Sequence, residues 1–165
     1  MSDHVTMYID EIGQALVHEL HTALPSLGLT LYEQGTLAHL PAPEDLDSSL
    51  PALLVCFTGT EQFDLFMAHR FRVRYRFTIR YCERQIDGVN PTRSMAQRLS
   101  LIAAAIASSR FSLTSLDGTP GLDVMKVLPT RIDLDNEEHA MMSHPEIRVS
   151  VGHIDLIIEA ETTTT

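Results

Sequence analysis

Apolar and polar residues alternate without a break through the middle of the chain, from Arg70 to Tyr81. The apolar positions are Phe71, Val73, Tyr75, Phe77, Ile79 and Tyr81, and the polar positions are Arg70, Arg72, Arg74, Arg76, Thr78 and Arg80. Successive side chains of a strand point to opposite faces, so this period of two predicts a strand with one apolar face and one basic face. At roughly 3.3 Å per residue the strand would be about 40 Å long, and we expect it to bend or to reach beyond its own domain.

Two other stretches have apolar residues at helical spacing. The first runs from Thr6 to Leu24 and ends at Pro25, which cannot continue a helix. The second runs from Pro91 to Ser108, with Asn90 as its N-cap and proline at its first position. Their predicted buried stripes are Ile9, Ile12, Leu16, Leu20 and Ala23, and Met95, Leu99, Ile102, Ala103 and Ile106.

The segments between these elements predict shorter strands and loops. Two short strands are expected at 29–32 and 37–40, around a turn at Gln34-Gly35. The continuous apolar run 52–58 is typical of a central strand that is buried on both faces. Segments 41–51 and 59–67 are predicted to be loops.

The C-terminal third predicts two more strands. The strand 124–134 contains Pro129, which indicates a sheet edge or a bulge. An acidic connection, 135–145, leads to a last strand whose apolar positions shift by one residue at Gly152, the pattern expected of a β-bulge. Together the elements predict an α+β fold, in which two helices pack mainly on one face of a mixed or mainly antiparallel sheet. Residues 1–160 form one domain, and 161–165 form a flexible polar tail.

Composition agrees with one ordinary domain, because the 165 residues are 44% hydrophobic and 21% charged. No apolar run approaches the roughly 18 residues of a membrane span, and the N-terminus lacks the pattern of a signal peptide. We therefore expect the protein in the cytoplasm of the cell that makes it, with no membrane partner. Cys56 and Cys82 lie in strand-like stretches and are expected to be reduced core residues rather than a disulfide.

Charge is unevenly distributed along the chain, although the net charge is −10. Residues 1–69 contain ten acids and no lysine or arginine, and residues 70–110 contain nine arginines and two acids. Residues 111–165 contain ten acids and three basic residues. The acidic total argues against general nucleic-acid affinity, while the basic middle lies between two acidic ends.

Motifs that carry chemistry are scarce. His18 and His21 are three residues apart, whereas the zinc protease motif needs two histidines four apart. Glu137, Glu138, His139 and His144 could supply metal ligands, but without cysteine partners we expect only adventitious binding. The chain has no nucleophile elbow and no glycine-rich phosphate loop. We therefore predict a protein that is not an enzyme and needs no cofactor; a small metal-dependent enzyme using His139 and His144 is the less favoured alternative.

The five arginines of the long strand, Arg70, Arg72, Arg74, Arg76 and Arg80, allow two interpretations. Same-face neighbours about 7 Å apart repel one another unless acids compensate. Either adjacent strands supply cross-strand acids, or the arginines form an intermolecular surface. In the second case the simplest partner is an acidic patch on another copy, in a heterologous contact that can close into a ring. Such a ring could alternatively direct the arginines towards nucleic acid in its lumen.

The order of the elements resembles that of the tail terminator proteins of tailed bacteriophages. The resemblance covers about residues 5 to 160 and rests on the N-terminal helix, SLPALLVCFTG, FRVRYRFTIRYCER, PTRSMAQRLSLIAAAIASS and the closing strands. It implies a virion structural protein with an α/β fold and no cofactor. It also implies a hexameric ring that caps the tail tube, with tail tube protein, head connector or stopper protein and, in contractile tails, sheath protein as partners. Another neck protein, or an unrelated oligomeric binding module, is the alternative.

Overall fold

The described part of the chain folds as two helices packed on one six-stranded sheet. A computed structural model describes residues 8–28, 31–36, 41–46, 49–67, 69–108, 113, 116–135 and 139–163. The elements are α1 (Ile9–Ala23), β1 (Leu31–Thr36), β2 (Ala52–Met67), β3 (Arg70–Arg84), α2 (Pro91–Ala107), β4 (Leu122–Leu134), β5 (His139–Ala140) and β6 (Arg148–Thr163). The strand order is β1-β2-β3-β6-β4, and β5 also pairs with β6. Only the β1–β2 pair among these is parallel, so the predicted α+β fold with a mainly antiparallel sheet is confirmed.

The long alternating strand is confirmed as β3, the middle of the sheet. It is 15 residues long, or about 50 Å at roughly 3.3 Å per residue, and it pairs with β2 on one side and β6 on the other. Val73, Tyr75 and Ile79 on its apolar face are completely buried. This face is apolar because it carries the main hydrophobic core, to which both helices contribute.

The two predicted helices are confirmed and cover the same face of the sheet. Buried residues on α1 are Ile12, Ala15, Leu16 and Leu20, and those on α2 are Met95, Leu99, Ile102 and Ile106. Helix α1 contacts β1 and β2, while α2 contacts β4 and β6. Asn90 caps α2 as predicted, since its side-chain oxygen accepts a hydrogen bond from the Arg93 backbone N–H at 3.1 Å. Helix α1 begins at Ile9; Thr6 lies outside the described residues. Neither of these helices is long and apolar enough to cross a membrane.

A predicted loop and a predicted turn are wrong, because the pattern of apolar and polar side chains does not show which backbone segments pair. Residues 59–67, predicted as a loop, belong to β2 and pair with β3 through several register shifts. The predicted turn at Gln34-Gly35 lies inside β1, which pairs with β2 in parallel. The remaining residues of that predicted hairpin, 29, 30 and 37–40, lie outside the described residues. In both cases a neighbouring strand satisfies the backbone groups that a loop would leave to water.

The predicted bulge at Gly152 is also wrong, since β6 pairs with β3 in one uninterrupted register along all of β3. The apolar phase changes because β6 contributes to two cores on opposite faces of the sheet. Val149 and Val151 face a small second core, whereas Ile154 faces the helices. A Cβ atom on Gly152 would lie 2.5 Å from Cδ1 of Leu99, so this position is where α2 packs directly on the backbone of β6.

The second core covers one end of the sheet face opposite the helices. It consists of Leu46, Ala52, Cys82, Met141, Val149 and Val151. With a core on each side, residues 52–56 are all buried, so the prediction of a strand covered on both faces is confirmed for these residues; it is wrong for Thr58, which is exposed. Cys56 and Cys82 are buried thiols that form no disulfide, as predicted, and burial raises the pKa of Cys82 to about 12.

The last two long strands lie side by side at one edge of the sheet. Strand β4 is the edge strand in the strand order and has a register shift at Pro129, which confirms both expectations for that proline. Strand β6 continues to Thr163, so the predicted polar tail is wrong for residues 161–163. Thr162 is 1% exposed because it lies between β3 and β4 rather than at a frayed end.

Candidate interface on the charged face of the sheet

The charged face is defined here as the sheet face opposite the helices, outside the second core. It carries the five predicted arginines of β3 and the residues of β6 that pair with them. The cross-strand pairs are Arg70–Thr163, Arg72–Glu161, Arg74–Glu159, Arg76–Ile157, Thr78–Asp155 and Arg80–His153. The structure therefore places all five predicted residues on one face, in one row.

Three of the five arginines have acidic partners within the chain. Glu161 lies 3.7 Å from Arg70 and 3.6 Å from Arg72, measured between guanidinium nitrogen and carboxylate oxygen. Arg74 donates from Nε to Glu159 at 2.8 Å. These arginine side chains are 39–56% exposed, so each ion pair contributes about 0–1 kcal/mol. For these three residues the first interpretation, cross-strand compensation, describes the contacts seen.

At the end of the row nearest the second core, hydrogen bonds involving a neutral group replace the arginine–glutamate pairs. Arg80 donates from Nε to Nε2 of His153 at 3.4 Å. Burial and the positive charge of Arg80 lower the pKa of His153, so that its ring stays neutral and can accept this hydrogen bond. Next to this pair, Thr78 donates from its hydroxyl to Asp155 at 2.8 Å.

Arg76 is the exception in the row. Its cross-strand neighbour is the apolar residue Ile157, whereas Arg72 and Arg74, the preceding arginines of the row, lie opposite glutamates. Among the described residues, no carboxylate oxygen lies within about 4 Å of its guanidinium group. The side chain is exposed. The ladder of opposite charges therefore has a gap at this position.

Arg76 lies at an open hollow of about 240 Å³ between β2, β3, β6 and β4. The hydroxyl of Thr58 donates to the Arg76 carbonyl at 3.1 Å, and the hydroxyl of Thr130 donates to the Asp155 carbonyl at 3.2 Å. Arg131, the other basic residue of the hollow, pairs with Asp133 at 2.8 Å. The acids Glu61 and Asp155 also line the hollow, but among the described residues neither forms an ion pair with Arg76, whose guanidinium can still donate to a carboxylate from another molecule.

The acidic partners on β6 were missed in the sequence, although they follow the same period as the arginines. Asp155, Glu159 and Glu161 occupy alternate positions along β6. The prediction of a polar tail beginning at Glu161 removed one of them from the sheet. Recognising that the last strand continues to Thr163 would have revealed the cross-strand acids.

The histidines considered as metal ligands do not come together. His139 lies between Glu44 and Asp135, while His144 is 62% exposed and lies 3.4 Å from Glu146. Glu137 and Glu138 lie outside the described residues. Within the described ranges, no group of three or more histidine, cysteine or acidic side chains is arranged to hold a metal ion.

The arrangement of the charged face suits ionic contact with another macromolecule. Its row of arginines from Arg70 to Arg80 is about 33 Å long at roughly 3.3 Å per residue; Arg70, Arg72 and Arg74 are paired with glutamates, and the pairing ends at Arg76. The sequence matches no known family model and no curated protein. The geometry of the charged face is therefore the main guide to function.

Proposed function

We propose that this protein is a virion structural subunit, a phage tail terminator, which assembles as a homo-oligomeric ring that caps the tail tube and joins it to the head connector. The observation that carries the proposal is the charged face, which the chain's own helices leave uncovered and on which Arg76 has no acidic partner within the described part of the chain. The resemblance in element order supplies the expected ring size of six. The virion neck is the corresponding location, after assembly in the host cytoplasm.

The charge pattern favours a protein partner over DNA. Arg70, Arg72 and Arg74 are already paired with glutamates, so their charges are largely compensated before any partner arrives. DNA binding relies on many uncompensated cations that displace counterions from phosphates. A single carboxylate inserted beside Arg76 would instead complete the existing ladder.

The same chain offers an acid for this contact. Glu11 is exposed in the first turn of α1, on the opposite side of the sheet from Arg76. A contact between two different patches on successive copies is heterologous and closes into a ring if the rotation allows. In this arrangement the ring would stop tail polymerisation by covering the end of the tube, and its other surface would bind the connector.

The test compares two single substitutions that remove the same charge. Arg76→Gln removes the unpaired arginine of the charged face, and Arg93→Gln removes an exposed arginine at the start of α2. Light scattering after size exclusion and negative-stain microscopy measure the oligomer. We expect rings from the wild type and from Arg93→Gln, and a shift towards monomer for Arg76→Gln. Rings should also weaken at high salt, where the screening length falls from about 10 Å at 0.1 M to about 3 Å at 1 M.

The outcomes separate the candidate functions. A protein that stays monomeric at high concentration, and also when mixed with tail tube protein, would refute the proposal. Rings that bind the connector but not the tail tube would indicate the alternative neck or stopper function. Rings that are unchanged by Arg76→Gln and by salt would leave the charged face as a solvated surface and place the subunit contact elsewhere.

A further inference from the structure

His139 is held between two carboxylates at the boundary of the second core. Its Nδ1 lies 2.5 Å from an Oε1 oxygen of Glu44, and its Nε2 lies 3.1 Å from an Oδ2 oxygen of Asp135. The imidazole is 11% exposed. Both ring nitrogens are therefore within hydrogen-bonding distance of an acceptor that carries no proton of its own near neutral pH.

This geometry requires a positively charged ring. A neutral imidazole has one N–H group, so one of its nitrogens would present a lone pair to a carboxylate oxygen. The imidazolium has two N–H groups and can donate to both acids at once. Burial by itself would lower the pKa of His139, but the hydrogen bonds to Glu44 and Asp135 outweigh it and raise this pKa above its ordinary value.

The three residues connect separate pieces of the chain. Glu44 belongs to a short 3-10 helix, Pro43–Asp45, Asp135 follows β4, and His139 begins β5. The Met142 backbone N–H donates to the Glu44 carbonyl at 2.9 Å, which is the second link between the same two segments. The segment 41–46, called the cover segment below, is thus fastened to β5 by one charged and one neutral contact.

The cover segment closes the second core. Leu46, at its end, is 3% exposed and packs in the cluster that contains Cys82 and Met141. Cys82 is completely buried there. If the cover segment moved away from β5, Leu46 would leave the cluster and the thiol of Cys82 would become accessible.

Other charged or titratable residues around His139 lie on β3 and β6. Arg80, on β3, helps to lower the pKa of Glu44, although the hydrogen bond from His139 is the larger cause. His153, on β6, has a lowered pKa and adds no second positive charge near neutral pH. Arg148 also lies on β6, opposite Ala140 in β5.

We propose that His139 is a pH-dependent latch: the protonated ring holds the cover segment against β5, and loss of its proton releases the segment and opens the second core. The sign follows from the direction of each shift. The histidine stabilises the closed form fully below its unfolded pKa, near 6.5, and this contribution disappears as the pH rises through its higher folded value. Glu44 has a lowered pKa, so its contribution is present above about 4.5 and disappears as the pH falls through its folded value. The latch is therefore closed in weakly acidic solution and opens as the pH rises through the folded-state pKa of His139.

Cys82 provides a direct readout of opening. In a Cys56→Ala background it is the remaining cysteine, and its rate of modification by a thiol reagent reports exposure of the second core. The rate is compared at each pH between the protein with His139 and its His139→Gln variant, so that the intrinsic pH dependence of the thiol cancels. His144→Gln is the matched control, because His144 is exposed and contacts one acid.

At pH 6 we expect at least tenfold slower modification with His139 than with glutamine, which corresponds to about 1.4 kcal/mol. The ratio of the two rates should fall as the pH rises from 6 to 9, and His144→Gln should behave like the parent at every pH. Hydrogen exchange measured on the same proteins should increase in the cover segment but not in β3. A rate ratio that is constant between pH 6 and 9, or exchange that increases equally in β3, would overturn the latch.

A second measurement needs no substitution. Nuclear magnetic resonance of the His139 ring in the unmodified protein should show protons on both nitrogens at pH 6, and a titration midpoint above 6.5, the ordinary value for histidine. A midpoint at or below 6.5 would refute the proposal even if the His139→Gln variant fails to fold. Neither experiment depends on ring assembly, so this inference and the proposed function can fail separately.

Discussion

Substitution of Gly152 tests how closely α2 packs on the sheet. A Cβ atom at this position would lie 2.5 Å from Cδ1 of Leu99 and 2.9 Å from the sulfur of Met95. Both of these side chains belong to the main core and are at most 2% exposed, so they have little free space into which to move. Gly152→Ala therefore tests whether the helix packs against the bare backbone of β6.

The expected cost combines two opposing terms. Inserting a methyl group into a packed core costs about 1–3 kcal/mol. Replacing glycine by alanine within a strand returns about 0.5–1 kcal/mol, because the unfolded alanine chain has less conformational freedom to lose. We expect a net loss of about 1–2 kcal/mol in the free energy of unfolding. For a domain of this size, each kcal/mol corresponds to about 2–4 °C in Tm.

Urea denaturation measures the effect, and Leu99→Ala supplies the control background. Removal of both Leu99 methyl groups eliminates the closest clash, so Gly152→Ala should cost about 1 kcal/mol less in that background than in the wild type. A coupling energy of this size is expected only for side chains in direct contact. If Gly152→Ala stabilises the protein, or costs the same in both backgrounds, the close approach of α2 to β6 is refuted.

Two further substitutions test contacts at the start of α2. Asn90→Ala removes the acceptor of the Arg93 N–H hydrogen bond and should lower the free energy of unfolding by about 0.5–2 kcal/mol. Asn90→Ser retains a capping oxygen and should preserve most of this stability. Equal losses in the two variants would contradict a capping role. Glu83 accepts hydrogen bonds at 3.0 Å from the hydroxyls of Tyr81 and Ser94. Glu83→Ala leaves the buried Tyr81 hydroxyl without this acceptor. It should therefore lower the free energy of unfolding by about 1–3 kcal/mol. Glu83→Gln retains an acceptor and should cost less, and thermal unfolding of the pair decides whether the acceptor matters.

The elements predicted correctly are those whose side-chain period reflects one continuous environment. Helix α2 has an apolar stripe, a cap and a proline start that all agree, and β3 alternates because the main core covers one of its faces from Phe71 to Tyr81. Local pattern was sufficient in both cases.

The failures come from pairing and from changes of environment along a strand. Residues 59–67 have no clean alternation, and they form a strand because β3 is long enough to offer them a partner. The phase change at Gly152 is explained by cores on opposite faces, which a single sequence cannot distinguish from a bulge. The partners of the candidate site were hidden for the same reason, since Glu161 reads as a polar terminus unless its pairing with Arg72 is known.

The position of β6 in the sheet determines the order in which the chain can fold. It follows its partners β3, β4 and β5 in the sequence, yet it lies between β3 and β4. Thr78 and Asp155, which are hydrogen-bonded across the β3–β6 pair, are 77 residues apart in the chain. Contacts so distant in sequence slow folding, because a large loop must close before they form. During synthesis β3 therefore waits with one unpaired edge and β4 with two, until β6 joins β4 to the sheet formed by β1, β2 and β3.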